Sequence, residues 1–341
     1  MAGPVSIYGV GLATAAGLTA PATAAAVAAG INRYQQSLQI KSDGQPAVLA
    51  LAPDEALPPP AEPTAKLPPR HARAVRLAGY ALAEAVEAAA SAGPLPLMLG
   101  APAGADAEAL LEALSTQASV TLDDTSRVFE GHRCAGLEAL AASLALLEQG
   151  APRVLLGGLD SPLDAALLAD LDSQGRLLGE GVQDGFAPGE AAAFLLLGAA
   201  AKGDEIALWP PALADEPGRA GGDPPNLGQG LTAAVAGALE QGQRSAASVT
   251  CSLNGERGPA REWAAAMLRN GQELTDPLQL EHPADCIGDV GAAAAPALLA
   301  LAALGLQQGS LADPCVLWCS DDGPRRGAML VGRPAQEPDD A

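Results

Sequence analysis

The chain has 341 residues, 49% of them apolar but only 3% aromatic, and a formal net charge of −21. That length suits one large domain or two coupled ones, with a core built from Ala, Leu and Val rather than from rings. The negative charge argues against nucleic acid, anionic membrane surfaces and acidic protein partners, because each would be repelled.

In chain order, Val5 to Gly11 predicts a short strand running into a glycine turn, and Ala22 to Gly30 a helix. Residues 52–69, APDEALPPPAEPTAKLPP, predict a connection without regular structure. His71 to Ala92 reads as an amphipathic helix and Leu95 to Gly100 as a strand. A helix from Asp106, a helix from Ala135, and strands at Arg153–Gly158 and Ala192–Leu197 follow. Beyond a Pro/Gly-rich connection, Glu216 to Gly230, the same grammar repeats: helix Leu231–Gln241, strand Ala247–Leu253, helix Ala260–Asn270. The helix Ala292–Leu306 and strands at Val316–Cys319 and Ala328–Val331 close the chain. The apolar run Val290 to Leu306 is interrupted by Pro296 and short for a membrane span, so it is expected to be a buried helix. Strands alternating with helices argue for α/β layers. The repeated grammar argues for an internally duplicated unit, with halves 1–200 and 201–341.

Met1 to Pro4 carries no basic segment of a secretory signal, and five cysteines lack any CxxC pair, which points to a reducing cytoplasm. Three histidines, His71, His132 and His282, leave little for a multi-histidine metal site; no metal or cofactor is implied. The glycines of Gly9–Gly17 imitate a dinucleotide loop, but Asn32 and Arg33 stand where its acidic partner belongs. The pairs Asp123–Asp124 and Asp321–Asp322 read as turn carboxylates facing water. Arg70, Arg73 and Arg76 share one helix face near Lys66, either as a docking patch for an acidic partner or as a solvated face. Cys134 opens the helix at Ala135 with His132 two residues before it. It is either a nucleophile with His132 as its base or a small apolar filler. Cys251 and Cys286 are further thiols to be placed.

Several segments together resemble the β-ketoacyl synthases of the thiolase fold. VSIYGVGLATAAG looks like their opening strand and turn, and RHARAVRLAGYALAEAVEAAASAG like their first long helix. GLEALAASLALLEQGAPRVLLGGLDSP looks like the nucleophile helix and the strand after it. DGFAPGEAAAFLLLG, Asp184 to Gly198, is close to their RDGFxxGEGAxxLxL stretch, and IGDVGAAAAPALLALAALGL resembles GHxxGAAG and its helix. The resemblance implies duplicated α/β/α/β/α layers and a homodimer. It also implies a catalytic cysteine with two histidines, and a donor carried on an acidic acyl carrier protein.

The three catalytic positions depart from that pattern. Aligning the glycines puts Arg133 at the nucleophile position and Cys134 one residue late, a rotation of about 100° on a helix. The first histidine falls on Asn254 and the second on Asp289, and the glycine-rich C-terminal loop becomes SDDGPRRG. An ionised Asp289 would oppose a developing oxyanion by about 4 kcal/mol at roughly 4 Å and an effective dielectric of about 20. Arg133 is expected to pair with Asp289 instead.

The expectation is a condensing enzyme that has lost its triad and acts as a binding, adaptor or assembly factor. Divergent thiolase-like proteins of this kind resemble those encoded beside type VI secretion effector genes, so an effector or adaptor is one partner. One alternative is an acyltransferase, or 3-oxoacyl-[acyl-carrier-protein] synthase-like enzyme, taking an acyl thioester on Cys134. Another is an acyl-chain or acyl-CoA binding module. Arg133, Phe129 and Phe186 would either line or fill its pocket.

Overall fold

A computed structural model describes residues 4–87, 93–200, 205–218 and 222–334. The first half runs β1 (Val5–Thr14), α1 (Ala20–Ala28), β2 (Gln35–Ile40), β3 (Pro46–Leu49), α2 (Glu62–Ala65) and α3 (Pro69–Glu87). It continues with β4 (Leu97–Ala101), α4 (Ala107–Ala118), β5 (Arg127–Glu130), α5 (Ala135–Glu148), β6 (Arg153–Asp160), α6 (Ala165–Ser173) and β7 (Ala191–Ala200). The second half starts with β8 (Ala207–Leu208), β9 (Ala212–Asp215), α7 (Gln229–Gly242), β10 (Ala246–Cys251), α8 (Arg257–Arg269) and β11 (Leu274–Glu281). It ends with α9 (Ala284–Ile287), α10 (Ala294–Gln308), β12 (Cys315–Ser320) and β13 (Arg325–Gly332). Positions 88–92 of the helix expected from His71 lie outside the described residues.

The strand order is β5-β4-β6-β7-β1-β8-β13-β12-β10-β11, with β9 beside β13. From β1 outward the pairings are antiparallel to β7, antiparallel to β6, then parallel to β4 and β5. From β9 outward they repeat: antiparallel to β13, antiparallel to β12, then parallel to β10 and β11. The counterpart of the long β1 is broken into β8 and β9, both paired with β13, because Pro210 and Pro211 lie between them. Proline has no N–H for a ladder.

Alternation along the strands sorts the core into layers. On β7, Ala193, Leu195 and Leu197 face the central layer of α5 and α10, while Ala192, Phe194 and Leu196 face α3 and α4. On β12, Leu317 and Cys319 face the same central layer, while Val316 and Trp318 face α7 and α8. Trp318 stacks on Trp263 at 5.4 Å. The run read as a buried helix is the central α10, whose Gly291–Gln308 stretch is 78% buried. Small residues bring the two central helices together. A Cβ on Gly136 would lie 2.3 Å from Pro296 Cδ, and one on Gly158 2.8 Å from Pro296 Cγ.

Three expectations need correction. Residues 52–69 contain a short helical turn at Asp54–Ala56 as well as α2, and Thr64 of α2 is fully buried. The glycine-rich start continues as β1 to Thr14, where Thr14 and Gly17 close a tight turn. The arginine face of α3 is not an open basic patch. Arg70 pairs with Asp160 (2.8 and 2.9 Å), Arg73 with Glu190 (3.0 and 2.8 Å) and Asp54 (2.6 Å), and Arg76 with Asp54 (2.7 Å). Lys66 pairs with Glu62 at 2.9 Å. The reason is burial: Asp160 and Glu190 sit inside the fold at the ends of β6 and β7 and need counter-charges.

The central contact gives a test whose sign is informative. Helix propensity favours Gly136→Ala by up to about 1 kcal/mol. The missing space beside Pro296 opposes it by about 1–3 kcal/mol. The expected outcome is a lower urea midpoint for Gly136→Ala; a higher one would show that α5 and α10 separate at little cost.

Candidate functional site

Four segments meet where α5 begins: the turn Gly131–Cys134, the loop Gly288–Gly291 before α10, the loop Asn254–Glu256 after β10, and the turn Asp321–Pro324 between β12 and β13. Asp289 is fixed by its backbone, donating its N–H to Ala187 O at 2.8 Å and accepting from Gly189 N–H at 2.7 Å. Residue 189 must be glycine for this approach, since a Cβ there would lie 2.1 Å from Ile287 O.

Arg133, with only 2% of its side chain exposed, is the centre. Its Nε donates to both Asp289 carboxylate oxygens (3.1 and 2.9 Å), and its Nη2 also bonds Asp289 Oδ2. Its Nη1 donates to Asp322 Oδ1 (2.8 Å) and to Ser320 O (3.2 Å). Asp322 in turn accepts from Arg176 at 2.8 and 3.1 Å, and Arg176 grips Glu256 at 2.7 and 2.9 Å. Asn254 closes the ring, its Nδ2 donating to Glu256 at 3.0 Å and to Asp289 at 2.8 Å. Phe186 lies against the ring, 6.0 Å from the Arg133 guanidinium and 5.3 Å from that of Arg176.

The electrostatics follow from this geometry. Burial alone would raise the Asp289 carboxyl, but the charge and hydrogen bonds of Arg133 outweigh it and hold the group below the usual carboxylate range. The same balance, with Arg133 and Arg176 against burial, depresses Asp322. Arg133 is pushed up: burial opposes its charge, but Asp289 and Asp322 favour it more.

Cys134 is buried, and its thiol points at the main-chain oxygens of Cys319 (3.4 Å) and Arg325 (3.7 Å). Its own N–H, at the helix start, is taken by Asp321 Oδ1 at 2.8 Å. Burial, and then the Asp321 charge, push its thiol well above the ordinary value. A helix N-terminus that would otherwise favour a thiolate is thus occupied by a carboxylate. All five cysteines are free and buried, and burial pushes the thiols of Cys251 and Cys315 up to about 12. Burial also raises the Cys286 thiol.

Two cavities flank the ring. One of about 350 Å³ is lined by His132, Arg70, Asp160, Phe186 and Asp289; the other, of about 720 Å³, by Arg133, Asn226, Glu256, Glu262 and Arg326. Arg176 and Asp322 line both. His132 Nδ1 is buried without a hydrogen-bond partner.

Of the residues singled out from sequence, the structure brings Arg133, Asn254, Asp289, His132, Cys134 and Phe186 to one place. Phe129 is elsewhere: it lies on β5 beneath Arg127 (5.1 Å) and lines neither cavity. Asp321 and Asp322 do not simply face water, which corrects the earlier expectation. Arg176 and Glu256 were not singled out. The one available signal was the acidic SDDG loop, facing an arginine at the nucleophile position.

The fold is that of the ketosynthases, a thiolase-like α/β architecture. An oxazolomycin ketosynthase domain from Streptomyces albus JA3453 is similar at TM-score 0.77 and 16% identity, over 98% of this chain and 77% of that one. A ketosynthase in complex with its chain length factor from Xenorhabdus doucetiae gives 0.76 and 16%, over 97% and 98%. The ketosynthase from module 6 of the bacillaene synthase of Bacillus subtilis 168 gives 0.76 and 13%, over 98% and 72%. At such identities the likeness establishes the fold. Neither a family model nor a curated protein matches the sequence.

Two outcomes are expected of the ring. Arg133→Met strands a buried carboxylate and should destabilise by about 3–5 kcal/mol, whereas Arg133→Met with Asp289→Leu should recover most of that loss in urea denaturation. Asp289 and Asp322 have depressed folded-state values, so their stabilisation is complete above the unfolded carboxylate range near 4 and is lost as pH falls through the folded values. The urea midpoint should therefore drop below about pH 4, and less steeply in Asp289→Asn. An equal slope in that variant would remove Asp289 from the explanation.

Proposed function

We propose that this protein is a catalytically degenerate β-ketoacyl synthase-like protein that works by binding, as an adaptor or assembly factor, and does not condense acyl thioesters. The observation that carries this reading is the buried Arg133–Asp289 pair, formed by the two residues that the family resemblance aligns with nucleophile and second histidine. Decarboxylative condensation needs a thiolate to take the acyl group and neutral or cationic donors to face the developing enolate oxygen. Burial pushes the Cys134 thiol well above its ordinary value and main-chain oxygens surround it, and Asp289 presents a carboxylate at the position where the family resemblance requires a donor.

A partner subunit is the natural complement of such a role. Similar structures include the ishigamide ketosynthase/chain length factor and a type II acyl-carrier protein in complex with its ketosynthase. By analogy we assign this chain a homodimer or a protein partner, with halves 1–200 and 201–341 as the copies of its duplicated unit. The repeated pairing order of the strands supports that division. A type VI secretion effector as partner rests on the family resemblance alone, and a cytoplasmic location on five cysteines without a CxxC pair.

The decisive experiment is intact mass spectrometry after incubation with a panel of acyl-CoA thioesters, beside Cys134→Ala, with malonyl-CoA decarboxylation assayed in parallel. No adduct and no decarboxylation are expected. An adduct on the wild type that disappears in Cys134→Ala would restore the acyltransferase reading. Ligand retention without turnover would favour the acyl-binding module. Light scattering on the same sample reads the oligomeric state.

A further inference from the structure

The ring has a fixed part and an exposed part. Arg133 and Asp289 are buried from solvent, with side chains 2% and 4% exposed, while the Asp322 side chain is 42% exposed on the turn between β12 and β13. Asp322 is held by two guanidiniums at once. Its Oδ1 accepts from Arg133 (2.8 Å) and Arg176 (3.1 Å), and its Oδ2 from Arg176 (2.8 Å). Neither arginine depends on Asp322 for its position. Arg133 is anchored on Asp289, and Arg176 on Glu256 by two bonds. Taking Asp322 away would leave three preplaced N–H donors, on Arg133 Nη1 and on Arg176 Nη1 and Nη2, set to receive a planar carboxylate. The position is reachable, because Asp322 and Arg176 form the wall shared by both cavities.

We propose that Arg133 and Arg176 form a carboxylate-binding cradle, that Asp322 is its built-in occupant, and that an external carboxylate can take the place of the Asp322 side chain, while the backbone of the turn stays tied through Cys134 N–H to Asp321 and through Arg326 to the main-chain oxygens of Asp321 and Gly323. The external group is either a free small carboxylate or a carboxylate displayed by a protein chain, as an acidic side chain or a C-terminus. Removing Asp322 leaves Arg133 and Arg176 matched by Asp289 and Glu256, so the vacated cradle carries no net charge and has donors to spare. A carboxylate therefore meets no repulsion from these four groups. The inference concerns an exchange of ligands and holds whether or not any acyl chemistry survives.

The test is chemical rescue. Asp322→Ala should lower the thermal midpoint. Sodium acetate, titrated against sodium chloride at matched ionic strength, should restore at least half of that loss in a saturable way. Wild type, with the cradle filled, should respond equally to the two salts, as should Asp322→Asn, which fills the space. Arg176→Gln in the Asp322→Ala background should abolish the acetate-specific rise. If Asp322→Ala does not fold in chloride, its refolding yield in acetate against chloride becomes the readout, with the same expectation. Acetate acting no better than chloride, or acting equally without Arg176, overturns the cradle. A short peptide with a free C-terminal carboxylate, compared with its amide, then separates the two sources. Rescue by the free-acid peptide at lower concentration than acetate assigns a protein carboxylate, and rescue by acetate at the lower concentration a small molecule.

Discussion

A buried guanidinium governs this structure. Removing an arginine and an aspartate from water costs several kcal/mol per ion, and the attraction between them compensates only if the remaining donors and acceptors are also used. Arg133 meets that condition by employing every part of its fork: Asp289 on one side, Asp322 and Ser320 O on the other. Asp289 has further needs, met by Asn254 and by the Gly291 N–H at 3.1 Å. Asp322 in turn calls for Arg176, and Arg176 for Glu256. Each ion pair in the ring, Arg133–Asp289, Arg133–Asp322, Asp322–Arg176 and Arg176–Glu256, joins the first half of the chain to the second. The charges thus register the two halves against each other, a task that apolar packing, being non-directional, does less selectively.

Under the proposed function, the same demand is what argues against condensation. A condensing centre must stabilise negative charge twice, on a thiolate and on an enolate oxygen. Here three carboxylates outnumber the two guanidiniums they pair with, and a fourth carboxylate, Asp321, occupies the helix N-terminus beside Cys134. The one-residue offset between Arg133 and Cys134 matters for the same reason. Arg133 is directed into the meeting point of the loops, and the thiol is directed into the β12–β13 backbone. No rotation of a single side chain exchanges these positions, because they are set by the backbone of the turn Gly131–Cys134 that leads into α5.

How much of this was legible in the sequence depended on whether the signal was local. The long elements announced themselves by periodicity: α3, α5, α7, α10, β6, β7, β12 and β13 all appear within a few residues of their expected limits. The missed elements carry weak patterns. β5 is only four residues with both ends exposed, β11 is an edge strand containing Pro277, and β8 and β9 are separated by two prolines. In the hairpin β2–β3 the first strand, QQSLQI, is mostly polar, and the second has only four residues, too few for its buried Ala47 and Leu49 to stand out. Helix α6 was missed although Leu163, Leu167, Leu168 and Leu171 repeat at helical spacing and Asp164 caps it by accepting from Ala166 and Leu167. In the site, Arg133, Asn254 and Asp289 stood out because each replaces a residue that the family resemblance requires. Arg176 and Glu256 replace nothing recognisable, and their partners are distant in sequence, so only the folded geometry reveals them. The arginines of α3 failed in the opposite way. Their helical spacing was read correctly, but the carboxylates that claim them come from β6, β7 and the proline-rich connection.

Different residues hold the fold together and build the ring. Its central layer is held by small side chains, with Gly136 and Gly158 against Pro296 and alanine-rich α10 between the two halves of the sheet. None of these contacts involves the Arg133 ring. A site that had merely decayed would leave some buried charge unmatched, since removing one partner of a buried pair exposes the other to its full desolvation penalty. In this ring every carboxylate and guanidinium has a partner, and the amide of Asn254 bonds through both its nitrogen and its oxygen. The replacements therefore act as a set: Arg133 is tolerable only with Asp289, and Asp322 has its place only with Arg133 and Arg176. The ring is a complete set of ion pairs whose most exposed member is the carboxylate of Asp322 on the β12–β13 turn.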